Sequence, residues 1–251
     1  MVSISTITRR CSRGILLALW STALPALAAT PCEHPIYLTF DVGDMRVAKQ
    51  IAHVLDEEHV KATFFLANKP TFRGDHVLDK SWAKFWRGRV AAGDVFGDHT
   101  WHHYYARQDL PDGRLRLVDL HGRVHIMNEA QYCRELTRVD QAFYRLTGTH
   151  LSGIWRAPGG RTTQRSIRWA AACGYPVHVG WTRAGFLGDE LPSEKYPNDM
   201  LLHKALRDLK PGDVTLMHLG IHSRHQPLAD ILQPLIRGLK ARGMCFATIG
   251  G

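Results

Sequence analysis

Ile36-Tyr37-Leu38-Thr39-Phe40 is followed by Asp41-Val42-Gly43-Asp44, then by apolar residues at Val47, Ile51, Val54 and Leu55, then by Ala62-Thr63-Phe64-Phe65-Leu66-Ala67. The first and last segments are short runs of apolar, β-branched and aromatic residues, which suit a buried strand. The residues between them recur at helical spacing. Strand, helix and strand in succession point to two parallel strands, because a parallel pair needs a crossover and a helix supplies it.

The same rhythm continues outward. Further strand candidates are Asp94–Gly97, Ser152–Trp155, Val177–Trp181, Val214–Met217 and Cys245–Ile249. Leu136, Val139, Phe143 and Leu146 repeat as one helix face, and Gly148, Gly174, Gly212 and Gly243 stop helices before the next strand. This pattern predicts an α/β fold with a parallel sheet of about seven strands closed into an irregular barrel. A doubly wound open sheet is the alternative. One segment breaks the rhythm: Leu115–Leu120 and Val124–Met127 flank His121-Gly122, which predicts a β-hairpin inserted between His103 and Glu129. No repeat, low-complexity tract or Pro/Ser-rich linker divides the chain, so residues 29–251 read as a single domain.

The first residues read differently. Arg9, Arg10 and Arg13 precede an apolar run from Ile15 to Leu24, and Ala26-Leu27-Ala28 follows, the layout of a cleaved signal peptide over residues 1–28. An uncleaved anchor is the other reading of this segment. The run is too short to span a bilayer, and no later stretch is longer, so a secreted or periplasmic protein without a transmembrane segment is expected. The net charge of +9 falls to about +6 without the leader's three arginines. That surface favours anionic polymers or headgroups. The basic residues are scattered without an aromatic ladder, which argues against nucleic acid. Cys32, Cys133, Cys173 and Cys245 lie beyond the leader with no C-x-x-C among them, so two disulfides in any of three pairings are expected rather than a zinc ribbon. Barrel closure would bring the first and last strands together, which favours Cys32–Cys245 as one bridge.

Polar residues collect where strands end. Asp41 and Asp44 follow the first strand, His99 and His103 the third, and Arg156, Pro158, Gly159 and Gly160 the fourth. Trp181 closes the fifth strand and His218 the sixth. In a parallel barrel the carboxyl ends of the strands share one face, so these groups converge on one rim. The spacing of His99 and His103 suits two imidazoles on one metal ion, yet His121/His125 and His218/His222 repeat that spacing among fifteen histidines. Position separates the first pair from the others.

Thr39-Phe40-Asp41, His99-Thr100-x-x-His103, Arg156-x-Pro158-x-Gly160 and Leu216-x-His218 resemble, in order and spacing, the motifs of the NodB-homology polysaccharide deacetylases, carbohydrate esterase family 4. Ala62-Thr63-Phe64-Phe65 looks like that family's second strand, and the resemblance runs from about Ile36 to Ile249. It implies a deformed (β/α) barrel and one divalent metal ion, zinc or a similar ion such as cobalt or nickel. It also implies hydrolysis of N-acetyl groups on an amino-sugar polymer. Asp41 would be the general base, Arg156 its orienting partner, His218 the general acid, and His99 and His103 metal ligands. Leu216 would line the acetate pocket with Trp181 beside it, and the Gly159 N–H would hold the oxyanion.

Two positions depart from that pattern. The family's usual metal-binding aspartate is Val42 here, which leaves Asp44 as a substitute ligand or as a cap of the helix beginning near Met45. The usual aspartate-rich segment ending in tryptophan is only partly present at Gly180-Trp181, and Asp189, in Gly185–Leu191, reads as a turn or cap residue. A metal-independent amidohydrolase on the same barrel and a non-catalytic glycan-binding protein are the rival readings. Peptidoglycan, chitin-like oligomers and exopolysaccharides all carry N-acetylhexosamine, and the sequence does not choose among them.

Overall fold

Residues 32–250 are described by a computed structural model. The expected signal peptide, residues 1–28, lies outside them. In chain order the elements are β1 (Pro35–Tyr37), β2 (Thr39–Asp41), α1 (Ala48–Glu57), β3 (Thr63–Leu66), α2 (Ala83–Ala91) and β4 (Val95–Asp98). Next come β5 (Tyr105–Asp109), β6 (Leu115–Val118), β7 (Val124–Met127), α3 (Glu129–Thr147), β8 (Ile154–Trp155), α4 (Gln164–Ala172) and β9 (Val177–His178). The last are α5 (Asn198–Asp208), β10 (Met217–His218), α6 (Leu232–Ala241) and β11 (Cys245–Ala247).

The α/β architecture and its parallel sheet match the expectation. Six parallel strands pair in the order β10-β2-β3-β4-β8-β9, and β1 pairs in parallel with β11. Each predicted strand overlaps an observed one, although β9 stops at His178 instead of Trp181 and β10 shares only Met217 with the predicted Val214–Met217. The first one divides at Leu38: its lower half faces β11 and its upper half faces β3. The sheet's two edges turn toward each other, since the Thr182 N–H donates to the Val214 carbonyl and the Leu216 N–H to that of Gly185. These bonds curl the ladder toward a barrel although β9 and β10 do not themselves pair.

Register is held by an aromatic row. Phe40, Phe64 and Phe96 are aligned partners on β2, β3 and β4, with ring centroids 5.4 and 5.8 Å apart. All three are buried, each contributing about 1.5–3 kcal/mol of apolar burial. A one-residue slip would turn the row to the other face and carry Asp41 with it. Local signals set α3: Asn128 and Gln131 form a reciprocal capping box, and Gly148 ends the helix at φ 78°.

The predicted hairpin is larger than expected. β5 joins β6 and β7 in a three-stranded antiparallel sheet. The residues Tyr105-Ala106-Arg107-Gln108-Asp109 lack apolar alternation, and a bulge between Ala106 and Gln108 interrupts their register, so period-two reading misses the strand. Disulfides join Cys32 to Cys245 and Cys133 to Cys173, with Cα atoms 5.8 and 5.5 Å apart. The first is the bridge favoured by the meeting of first and last strands. Among the described residues no helix is long and apolar enough to cross a membrane.

Candidate active site

The strand ends deliver their side chains to one face. Asp41 and His218 are direct partners in the β2–β10 register. The loops beyond them are tied by the Asp44 N–H to Gly220 carbonyl bond at 3.0 Å, an approach so close that a Cβ on Gly43 would overlap the Gly220 carbonyl. His99 follows β4, the neighbour of β3, and its N–H donates to the Leu66 carbonyl at 2.8 Å. Arg156 follows β8, and its N–H donates to Asp98 at 2.8 Å.

Arg156 is fully buried and spends its donors inward. Nη1 donates to Asp41 Oδ1 at 2.7 Å, Nη2 to Thr39 Oγ1 and the Gly180 carbonyl, and Nε to the Val179 carbonyl. Burial opposes the charge of Asp41, but the charge and hydrogen bond of Arg156, with protonated His218, outweigh it and hold the carboxyl below its usual range. Asp41 is therefore ionised at neutral pH, as a general base must be.

His218 carries the opposite charge. Burial works against its protonation, yet the charge and hydrogen bond of Asp189, with Asp41 and Glu190, push it up to about 9. Asp189 Oδ2 accepts from the His218 N–H at 2.6 Å and lies 3.1 Å from Nδ1; on the other side, Glu190 Oε1 is 3.7 Å from Nε2. Asp189 is thus the partner of His218, not the turn residue read from the sequence. The partial tryptophan motif before it was the only signal.

His99 and His103 meet edge to face, with ring centroids 4.7 Å apart. The Arg156 carbonyl accepts from His99 Nδ1 at 2.8 Å, which fixes the tautomer and leaves the Nε2 lone pair facing the site, 3.4 Å from Asp41 Oδ2. Burial pushes His99 down to about 4, and burial with the nearby charges of Lys69 and His218 keeps His103 well below its usual value. Both rings stay neutral, the state a metal ligand requires. His103 Nδ1 is buried without a partner. Two neutral imidazoles and one orphaned nitrogen fit a borderline divalent ion such as zinc. No group of three His, Cys, Asp or Glu side chains suited to a metal is present among the described residues, and Val42 is buried where a further carboxylate was expected.

Asp44 is engaged elsewhere. Its Oδ1 accepts from the Arg46 N–H at 3.1 Å and its Oδ2 from Arg46 Nε at 2.7 Å. Nor does it cap α1, which starts at Ala48 after Val47. Two other residues escaped the sequence reading. Lys69, three residues past β3, is lowered by burial against the attraction of Asp41, Glu190 and Asp44. Glu135, buried on α3, accepts from the His102 N–H at 2.9 Å and pairs with its ring at 2.8 Å, bracing the His99–His103 loop. Neither lies in a spaced motif, since each acts across the fold.

Gly159 and Gly160, on the loop after β8, have positive φ, Trp181 packs against Gly160, and Leu216 is buried. The Gly159 N–H has no partner among the described residues. An ionised carboxylate and a protonated imidazole stand beside two neutral imidazoles, with an unpartnered N–H on the loop after β8, groups of the kinds that can act in amide hydrolysis.

Comparison with known proteins gives the family and the fold. Residues 28–178 match the polysaccharide deacetylase family. A peptidoglycan-N-acetylglucosamine deacetylase of Bacillus cereus is 25% identical over 216 residues, 85% of this chain and 66% of that protein. The chain thus spans just under two thirds of that relative. A family 4 carbohydrate esterase from Streptomyces lividans, in complex with acetate, superimposes with a TM-score of 0.63 at 20% identity, covering 87% of this chain and 94% of that one. A family 4 pseudoenzyme from Bacillus anthracis gives a TM-score of 0.62 at 20% identity, with 86% and 64% covered. The structural likenesses speak for the fold, and the match over more than half the sequence for the family: the chain belongs to the polysaccharide deacetylases, the NodB-homology domains of carbohydrate esterase family 4.

Proposed function

We propose that the protein is an exported, metal-dependent deacetylase that hydrolyses N-acetyl groups of an amino-sugar polymer, releasing acetate and a free amine. The observation that carries this reading is the pairing of Asp41 and His218, one ionised and one protonated, at neighbouring strand ends.

Asp41 takes a proton from the attacking water while Arg156 keeps its carboxylate charged and oriented. The Gly159 N–H donates to the carbonyl oxygen as negative charge develops there. His218 delivers its Nε2 proton to the nitrogen as the C–N bond breaks, because an unprotonated amine departs poorly. Asp189 holds His218 from its Nδ1 side. Leu216 and Trp181 wall the acetyl methyl group. His99 and His103 would hold the ion, zinc by donor chemistry, which when bound would lower the pKa of water toward about 7 and polarise the carbonyl. Asp44 would join them only by leaving Arg46.

Two disulfides support an oxidising location. The name of the Bacillus cereus relative makes peptidoglycan the first polymer to test, ahead of chitin oligomers and exopolysaccharides. A glycan-binding protein without turnover is the second reading, favoured by Val42 in place of a ligand. Acetate release from this panel, with metal content measured on the same preparations, decides between them. Release that Asp41→Asn and His218→Ala abolish supports the enzyme; glycan retention without release by the metal-loaded protein supports the binder.

A further inference from the structure

We propose that the inserted three-stranded sheet serves the site through Tyr105, a positioning residue whose ring holds both the Gly159 N–H and the His103 imidazole in place. The inference rests on the deacetylase reading for what those two groups do, and on the fold alone for how they are held.

Tyr105 is the first residue of β5 and pairs with Val118 of β6. Its ring meets the His103 ring edge to face, centroids 5.3 Å apart at 82°. The same ring fills the space beside Gly159: a Cβ built there would lie 2.9 Å from Cε1 and 3.0 Å from Cδ1. The Arg107 guanidinium covers the ring 5.6 Å from its centroid. Tyr105 therefore stands between the loop after β4 and the loop after β8.

Those loops need such a brace. His103 has φ 58° and Gly159 φ 60°, in the left-handed region that a histidine rarely occupies. Nothing in either loop's sequence forces the two turns to a common separation. The inserted sheet provides the rigidity, because Ala106, Leu115 and Leu117 turn inward and the last two pack on Tyr132, Leu136 and Trp169. With its backbone anchored there, Tyr105 presents a flat, stiff ring to both loops. The insertion is then part of the apparatus and not a surface excursion.

The test is a cycle of Tyr105→Phe, Tyr105→Ala, Gly159→Ala and the Tyr105→Ala/Gly159→Ala pair, in the metal-loaded protein with an acetylated glycan. Tyr105→Phe keeps the ring and is expected to stay within about threefold of the parent. Tyr105→Ala is expected to lose kcat by up to about 10²-fold with KM nearly unchanged, the loss that follows a misplaced reacting group. Gly159→Ala should cost much less in the Tyr105→Ala background, where its methyl group no longer meets the ring. An unaltered kcat in Tyr105→Ala, or losses that simply multiply in the pair, overturns the proposal. Should Tyr105→Ala fail to fold, Tyr105→Leu replaces it in the same cycle. Histidine side-chain NMR gives an answer independent of turnover: the His103 ring signal should shift or broaden in Tyr105→Ala but not in Tyr105→Phe. An unchanged signal in Tyr105→Ala also overturns the proposal. Absence of acetate release by the parent on every glycan would instead sink the deacetylase reading and leave the NMR test standing.

Discussion

Arg156 Nη1 and Asp41 Oδ1 lie 2.7 Å apart, 115 positions from each other in sequence, with both side chains buried. The guanidinium also stacks over Phe65, its carbon 4.1 Å from the ring centroid. Arg156 is thus held on several sides and presents one N–H to the carboxylate, while the other oxygen of Asp41 faces His99. The pair sets both the charge of Asp41 and the direction in which it accepts a proton.

Asp41→Asn should remove acetate release by about 10²–10⁴-fold, the range of a lost general base. It should also destabilise the fold by on the order of 3 kcal/mol, because Arg156 keeps a buried charge without its counterion. Glycan kinetics and urea unfolding measure the two effects. Full activity in this variant would end the proposed mechanism.

Metal content separates the donor candidates. His99→Ala should lose most bound zinc after mild dialysis, whereas Asp44→Asn should keep both zinc and activity, since Asp44 is occupied by Arg46. Zinc lost from Asp44→Asn would show that the carboxylate swings to the ion.

The pH profile tests His218. Its pKa is raised from the ordinary 6.5 to about 9, so its contribution to stability is fully present below 6.5 and is lost as pH rises through 9. Acetate release should fall over the same alkaline limb as the acid deprotonates. Asp189→Asn removes the carboxylate on Nδ1 and should move that limb down toward neutral pH, with kcat reduced by about 10–100-fold. An alkaline limb unmoved in Asp189→Asn would detach it from His218.

Thiol titration in denaturant checks the disulfides. Adding reductant should expose four new thiols. Replacing Cys133 and Cys173 with serine, which opens a loop spanning 40 positions, should cost up to about 4 kcal/mol in unfolding free energy. Four thiols already free without reductant would contradict both bridges.

The sequence by itself determined the alternation of strands and helices, because period and turn residues are local properties. It also placed Asp41, His99, His103, Arg156 and His218 at strand ends, where parallel topology alone brings them to one rim. Tertiary structure decided who touches whom. Asp189 reaches His218 across 29 positions, Glu135 braces His102 across 33, and Tyr105 meets Gly159 from an inserted sheet. β5 escaped period-two reading because its bulge and polar residues are tolerated only where β6 covers one side. Asp44 is the opposite case: its partner Arg46 is only two residues away, so the contact that occupies its oxygens is a local one that spacing alone could have suggested. Spacing along a chain fixes which face a residue shares, but contact between distant segments depends on packing that no local pattern encodes.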